Sequence, residues 1–135
     1  MTDPTPESIA ATPAFAEFLP MTVERRDPTD YRLTMAVSAP HLNATGAVHG
    51  GILSTLLDIA AAGAAAVSVN DGVGTYGVTI SLTVNFVAPA GAGRLSAHAV
   101  VLGGGARTKF VDAKVVDATN QLIATASASI RVIDI

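Results

Sequence analysis

The chain predicts an α+β fold in which an antiparallel sheet wraps one long apolar helix. Three observations lead there. Gly50 to Val69 is a nearly continuous apolar stretch of helical length, and Asn70-Asp71-Gly72 stops it. From Val78 onward the hydrophobic period changes from that of a helix to that of strands. The strands are joined by short breaks, which suit antiparallel neighbours because parallel pairs need long crossovers.

Ser8 to Phe18 reads as a short helix offering Ile9, Phe15 and Phe18 for docking, with Pro13 interrupting it. Met21 to Val37 reads as a hairpin turning at Asp27-Pro28-Thr29-Asp30, where proline and aspartates favour a turn. Ala39 to Val48 is irregular and leads into the long helix, whose paired glycines spare side chains where something must approach the backbone. Beyond the stop, Val78, Ile80, Leu82, Val84 and Phe86 alternate with Thr79, Ser81, Thr83 and Asn85, giving one apolar and one polar face. Leu95 to Leu102, Thr108 to Val116 and Leu122 to Val132 complete four strands. The helix is dominated by alanine and glycine, so backbones come close. Close packing explains this better than room left for a ligand.

The 135 residues suit one domain, with residues 1–20 as an N-terminal helical extension, and an apolar content of 50% fills a core. Eight basic against 11 acidic residues, a formal charge of −3, leave no footprint for nucleic acid. The absence of cysteine excludes disulfides, thiolate metal sites and a cysteine nucleophile. Met1 to Pro20 lacks the basic start and apolar run of a signal peptide, and the expected location is cytoplasmic. Gly50 to Val69 has the length of a membrane span, about 20 residues. Asp58 at its centre and the strands that follow favour a buried core helix and no membrane partner.

Asp58 is the position that calls for chemistry. A carboxylate in an apolar segment is costly, so it needs a satisfied partner or a job. Asn43-Ala44-Thr45-Gly46-Ala47-Val48-His49-Gly50-Gly51, then Thr55-Leu56-Leu57-Asp58, resembles the N-x-x-G-x-x-H-G-G-x6-D signature of hotdog-fold acyl-CoA thioesterases of the phenylacetate-pathway (PaaI-like) group. The resemblance continues through Val78 to Ala90, Gly93, Arg107-Thr108 and Leu122-Ile123-Ala124, covering roughly residues 30 to 133. It implies a hotdog fold, hydrolysis of an acyl-CoA thioester to free acid and CoA, a homodimer or dimer of dimers, and no cofactor beyond the coenzyme A moiety of the substrate.

Thioester hydrolysis asks for an oxyanion donor and a base or nucleophile. Gly50 opens the helix, where free N–H groups and the positive end of the macrodipole favour a developing oxyanion, and Gly51 beside it is a candidate contact for the substrate or its coenzyme A. Asp58 is the general base activating water or the nucleophile forming a mixed anhydride. By resemblance, Asn43 and His49 position the carbonyl, the attacking water or the loop itself. An Asx-type turn at Asn43 and a backbone-satisfied His49 are the structural alternatives. Thr79 falls where related enzymes carry a serine or threonine near the carboxylate. Arg107 and Thr108, after Gly103-Gly104-Gly105, are candidates for the phosphates or pantetheine of coenzyme A, although the glycines most simply make a hairpin turn or bulge. His41, His49 and His98 have no metal-site spacing, and no Gly-x-Ser-x-Gly elbow is present.

Gly50 and Asp58 are eight residues apart, about 12 Å along a helix at 1.5 Å per residue, whereas reacting groups approach to about 3 to 3.5 Å. One chain therefore hardly supplies both to one carbonyl, and two antiparallel helices in a two-fold dimer do. A non-catalytic acyl-CoA or lipid-binding protein of the same fold is the alternative reading. A hotdog hydratase ranks below it, because the aspartate–histidine pairing of that relative is missing here.

Overall fold

The computed structural model describes residues 13–135. Its elements run α1 (Pro13–Phe18), β1 (Met21–Arg25), β2 (Tyr31–Val37), α2 (Gly50–Val67), β3 (Thr75–Phe86), β4 (Gly93–Gly104), β5 (Thr108–Asp117) and β6 (Leu122–Asp134). The strands form one antiparallel sheet in the order β1-β2-β4-β5-β6-β3. The α+β expectation of a sheet around one helix is met. For the first helix, Ser8 and Ile9 lie outside the described residues.

Tight turns produce the consecutive pairs. In the β1–β2 hairpin the Asp27 carboxylate accepts the Thr29 N–H and hydroxyl, both at 2.8 Å. Asp117 does the same for Thr119 between β5 and β6. The long connection is the one through α2. It carries the chain across the sheet, so β3 lies at the far edge beside β6 instead of next to β2.

α2 lies against the concave face. Leu56, Leu57, Ala60, Ala61, Ala64 and Ala65 are buried from it, and Leu33, Leu95, Val115, Ile123 and Ile130 from the sheet. Each large aliphatic side chain so buried contributes about 1.5–3 kcal/mol. The small residues serve close approach. A Cβ on Gly77 would fall inside contact distance of the Ala62 carbonyl, and one on Gly63 would overlap the Tyr31 ring. By composition α2 is long and apolar enough to cross a membrane, yet here the sheet packs along it. It ends two residues before the expected Val69. Ser68 caps it, and Asn70, Asp71 and Gly72 take left-handed φ angles of 52°, 53° and 78° that turn the chain into β3.

β3 departs from the expected single alternation. Thr79 pairs with Ile130 and Ser81 with Ser129, so Ile80 is an extra residue opposite none. This bulge reverses the phase of the strand. Thr75, Gly77 and Thr79 face the helix before it, and the half-buried Leu82 and Val84 after it. Val78 and Ile80, expected with Leu82 and Val84, are 42% and 61% exposed.

Candidate active site

The entry to α2 is a built loop. Asn43 Oδ1 accepts the Thr45 N–H at 2.9 Å, the Thr45 hydroxyl at 2.6 Å and the Ala47 N–H at 3.2 Å, and the Asn43 N–H returns to the Ala47 carbonyl at 2.7 Å. Asn43 is thus the Asx-type organiser of its own loop, which needs a glycine where Gly46 takes φ +81°. Leu42 bridges to Val48 and closes it. The His49 carbonyl accepts the Ile52 and Leu53 N–H groups, and its imidazole is exposed. The N–H groups of Gly50 and Gly51 have no acceptor among the described residues, so the first turn of α2 presents free donors. The Phe86 ring lies against Gly50, while beside Gly51 there is open space.

His41 anchors this loop, a role with no signal in the sequence. It is buried and accepts the Ser38 N–H at Nδ1 at 3.0 Å, which leaves Nε2–H to donate to the Phe18 carbonyl. Its own carbonyl accepts the His49 N–H at 3.0 Å. The end of α1 is thereby tied to the start of α2.

Asp58 stands two turns along α2, half-buried where full burial was expected. It lies on the open stripe formed by Gly51, Thr55, Asp58 and Ala62. The Thr79 hydroxyl donates to its Oδ1. The β3 bulge makes this contact, because a regular strand in phase with Leu82 and Val84 would turn Thr79 away. The pair opens on a cavity of about 510 Å³ running along α2 past Ile59, Ala62 and Ala66. Tyr31 and Arg26 also line it, and sequence reasoning missed both. Burial raises the Tyr31 pKa above its ordinary value, and the Arg26 charge opposes that rise.

Gly50 belongs to a different depression of about 260 Å³, bounded by Val48, Leu53, Phe86 and Pro89. The carboxylate and the helix-start donors of one chain therefore face separate spaces. Arg107 and Thr108 line neither. The Arg107 guanidinium forks onto the Asp134 carboxylate at 2.8 and 3.2 Å, and the Thr108 carbonyl accepts the Gly105 N–H of the β4–β5 turn.

Residues 45–124 match the thioesterase superfamily. Solved structures of the same shape include the PaaI protein of the Escherichia coli phenylacetic acid degradation operon. It is 30% identical, with a TM-score of 0.77 over 89% of this chain and 84% of that one. A phenylacetic acid degradation-related protein from Ralstonia eutropha JMP134 is 27% identical, with a TM-score of 0.78 over 93% and 94%. A Haemophilus influenzae thioesterase, 18% identical, shares the fold with a TM-score of 0.81 over 98% and 93%. No curated protein is significantly similar in sequence. Since the family match takes in the end of the entry loop, all of α2 and the strand that carries Thr79, the chain belongs to the thioesterase superfamily as a PaaI-like hotdog thioester hydrolase.

Proposed function

We propose that the chain hydrolyses acyl-CoA thioesters to the free acid and CoA, at sites that each combine Asp58 of one copy with the Gly50–Gly51 helix start of a second. The observation that carries this reading is the separation of the two groups. They lie about 12 Å apart along α2 by its 1.5 Å rise and open on different cavities. The edge of the sheet supports it. Among the described residues β3 is a 12-residue strand paired on one side only, and an open strand of that length is a template for pairing with a second copy. Antiparallel pairing there sets two copies of α2 side by side in opposite directions and brings each Asp58 toward the other chain's helix start.

In such a site the thioester oxygen accepts the free N–H groups of Gly50 and Gly51, aided by the helix dipole. Thr79 holds Asp58 Oδ1, which leaves Oδ2 to act. As a base it takes a proton from water as the oxygen adds to the carbonyl, and the tetrahedral intermediate then expels the CoA thiolate, which receives that proton. As a nucleophile it attacks the carbonyl itself, the thiolate leaves, and water cleaves the mixed anhydride. Neither route calls on a cofactor. Asn43 and His49 shape the loop that presents the donors, and the coenzyme phosphates compete with Asp134 for Arg107, beside Thr108.

Complementation tests the shared site. Asp58→Ala removes the carboxylate, and Gly51→Leu carries bulk into the space beside the helix start, where a Cβ meets no atom within 4 Å. Each variant alone is expected to release no thiol from an acyl-CoA panel, and mixed dimers to recover one working site in two. Inactive mixed dimers, with mixing verified by mass, would remove the shared-site model. Asp58→Asn with undiminished hydrolysis would remove the role of the carboxylate.

A further inference from the structure

We infer that the cavity beside Asp58 receives the acyl part of the thioester, and that Arg26 and the Tyr31 hydroxyl select acyl groups ending in a carboxylate. This rests on the thioesterase reading above, with Asp58 marking the carbonyl. The walls leading away from Asp58 are apolar, from Ile59, Ala62 and Ala66, and they suit methylene groups. The wall at the level of Gly63 is not. A Cβ on Gly63 would lie 2.5 Å from the Tyr31 hydroxyl, which fixes the phenol over that glycine. The hydroxyl makes no hydrogen bond to the described residues and is not sealed off, since no buried side-chain polar atom among them lacks a partner.

Arg26 stands beside it. Arg25, Arg32, Arg94 and Arg107 are each held by a carboxylate, whereas Arg26 and Arg131 join no ion pair among the described residues, and of these two only Arg26 lines the cavity. An unpaired guanidinium and an unused phenol on the wall of an otherwise apolar passage match the two oxygens of a carboxylate. The helix sets the least reach. From Asp58 to Gly63 is five residues, roughly 8 Å of rise at 1.5 Å per residue, and the two positions also differ by about 140° around the axis. An extended chain covers about 3.6 Å per three bonds, so the rise alone takes about six or seven bonds. The half-thioester of a six-carbon dicarboxylic acid is the shortest that meets it.

The test compares adipoyl-CoA with hexanoyl-CoA, matched in length and differing in the terminal carboxylate. The wild type is expected to prefer adipoyl-CoA in kcat/KM by about tenfold or more, the discrimination of a charge-assisted pair. Arg26→Gln is expected to reduce adipoyl-CoA turnover about tenfold more than hexanoyl-CoA turnover, and Tyr31→Phe to act in the same direction more weakly. Arg26 is exposed and Tyr31→Phe keeps the packed ring, so both variants retain the fold. Hydrolysis with no preference for adipoyl-CoA overturns this inference and leaves the thioesterase reading standing. Weaker inhibition by free coenzyme A in Arg26→Gln also overturns it, because the arginine then serves the coenzyme phosphates. If neither thioester is cleaved, equilibrium binding to the wild type decides. Tighter binding of adipoyl-CoA, lost in Arg26→Gln, supports the inference while the hydrolytic reading fails.

Discussion

Thr79 shows how one hydroxyl depends on one irregularity of the backbone. Its alternation with Val78 and Ile80 reads in sequence as a polar outer face, and only the extra residue at Ile80 turns it toward Asp58. No residue type announces a bulge, so this contact was legible only through resemblance, while Asp58 and the two helix-start glycines stood out directly. Thr79→Val keeps the shape and removes the donor. It is expected to lower kcat about tenfold or more, the worth of a hydrogen bond to a charged group, with Thr79→Ser close to wild type. A Thr79→Val enzyme at full rate would show that the hydroxyl does not position the carboxylate. Gly77→Ala drives a methyl into the backbone of Ala62 and is expected to cost about 2 kcal/mol or more in urea unfolding. Gly63→Ala drives its methyl into the packed Tyr31 ring, so it is expected to displace the phenol and reshape the cavity at a comparable cost.

At the scale of elements, every strand and the long helix were readable from period and punctuation, because all but the exposed β1 bury one face and the turns carry proline, glycine or aspartate. Tyr31 and Arg26 were not readable as site residues. Tyr31 meets α2 only through the tertiary fit over Gly63, and Arg26 has the local look of a surface charge. The outer face of the sheet carries its own consequence. Registers set His98 of β4 between Arg32 of β2 and Lys114 of β5. Partial burial, with those two cations, holds its pKa below the ordinary histidine value, against a smaller pull from Asp30. A histidine depressed in the folded state binds fewer protons there than in the unfolded chain. Its contribution to stability is therefore present above pH ~6.5 and lost as pH falls through the lower folded value. His98→Gln is expected to lose less thermal stability than the wild type between pH 8 and pH 5. Parallel decline of the two melting temperatures would show that His98 does not carry the acid sensitivity.

For the whole molecule, the decisive quantity is how activity follows assembly. A site completed by a second copy must fail when the copies part, even though each chain keeps its fold. β3 offers the place to part them, since among the described residues its outer side is unpaired and its bulge residue Ile80, 61% exposed, has no pairing partner. A lysine on an open edge strand opposes edge-to-edge pairing through charge and the cost of desolvating it. Ile80→Lys is therefore expected to retain the far-ultraviolet spectrum of the wild type and to shift the oligomer toward monomer in light-scattering measurements. Its specific activity should fall with dilution in step with the loss of dimer, and rise again at high protein concentration. Asp58→Asn, altered inside the cavity, should remain assembled and inactive at every concentration. A fully active Ile80→Lys monomer would mean that one chain bends its own helix start and carboxylate to a single carbonyl, against the roughly 12 Å that the helical rise puts between them.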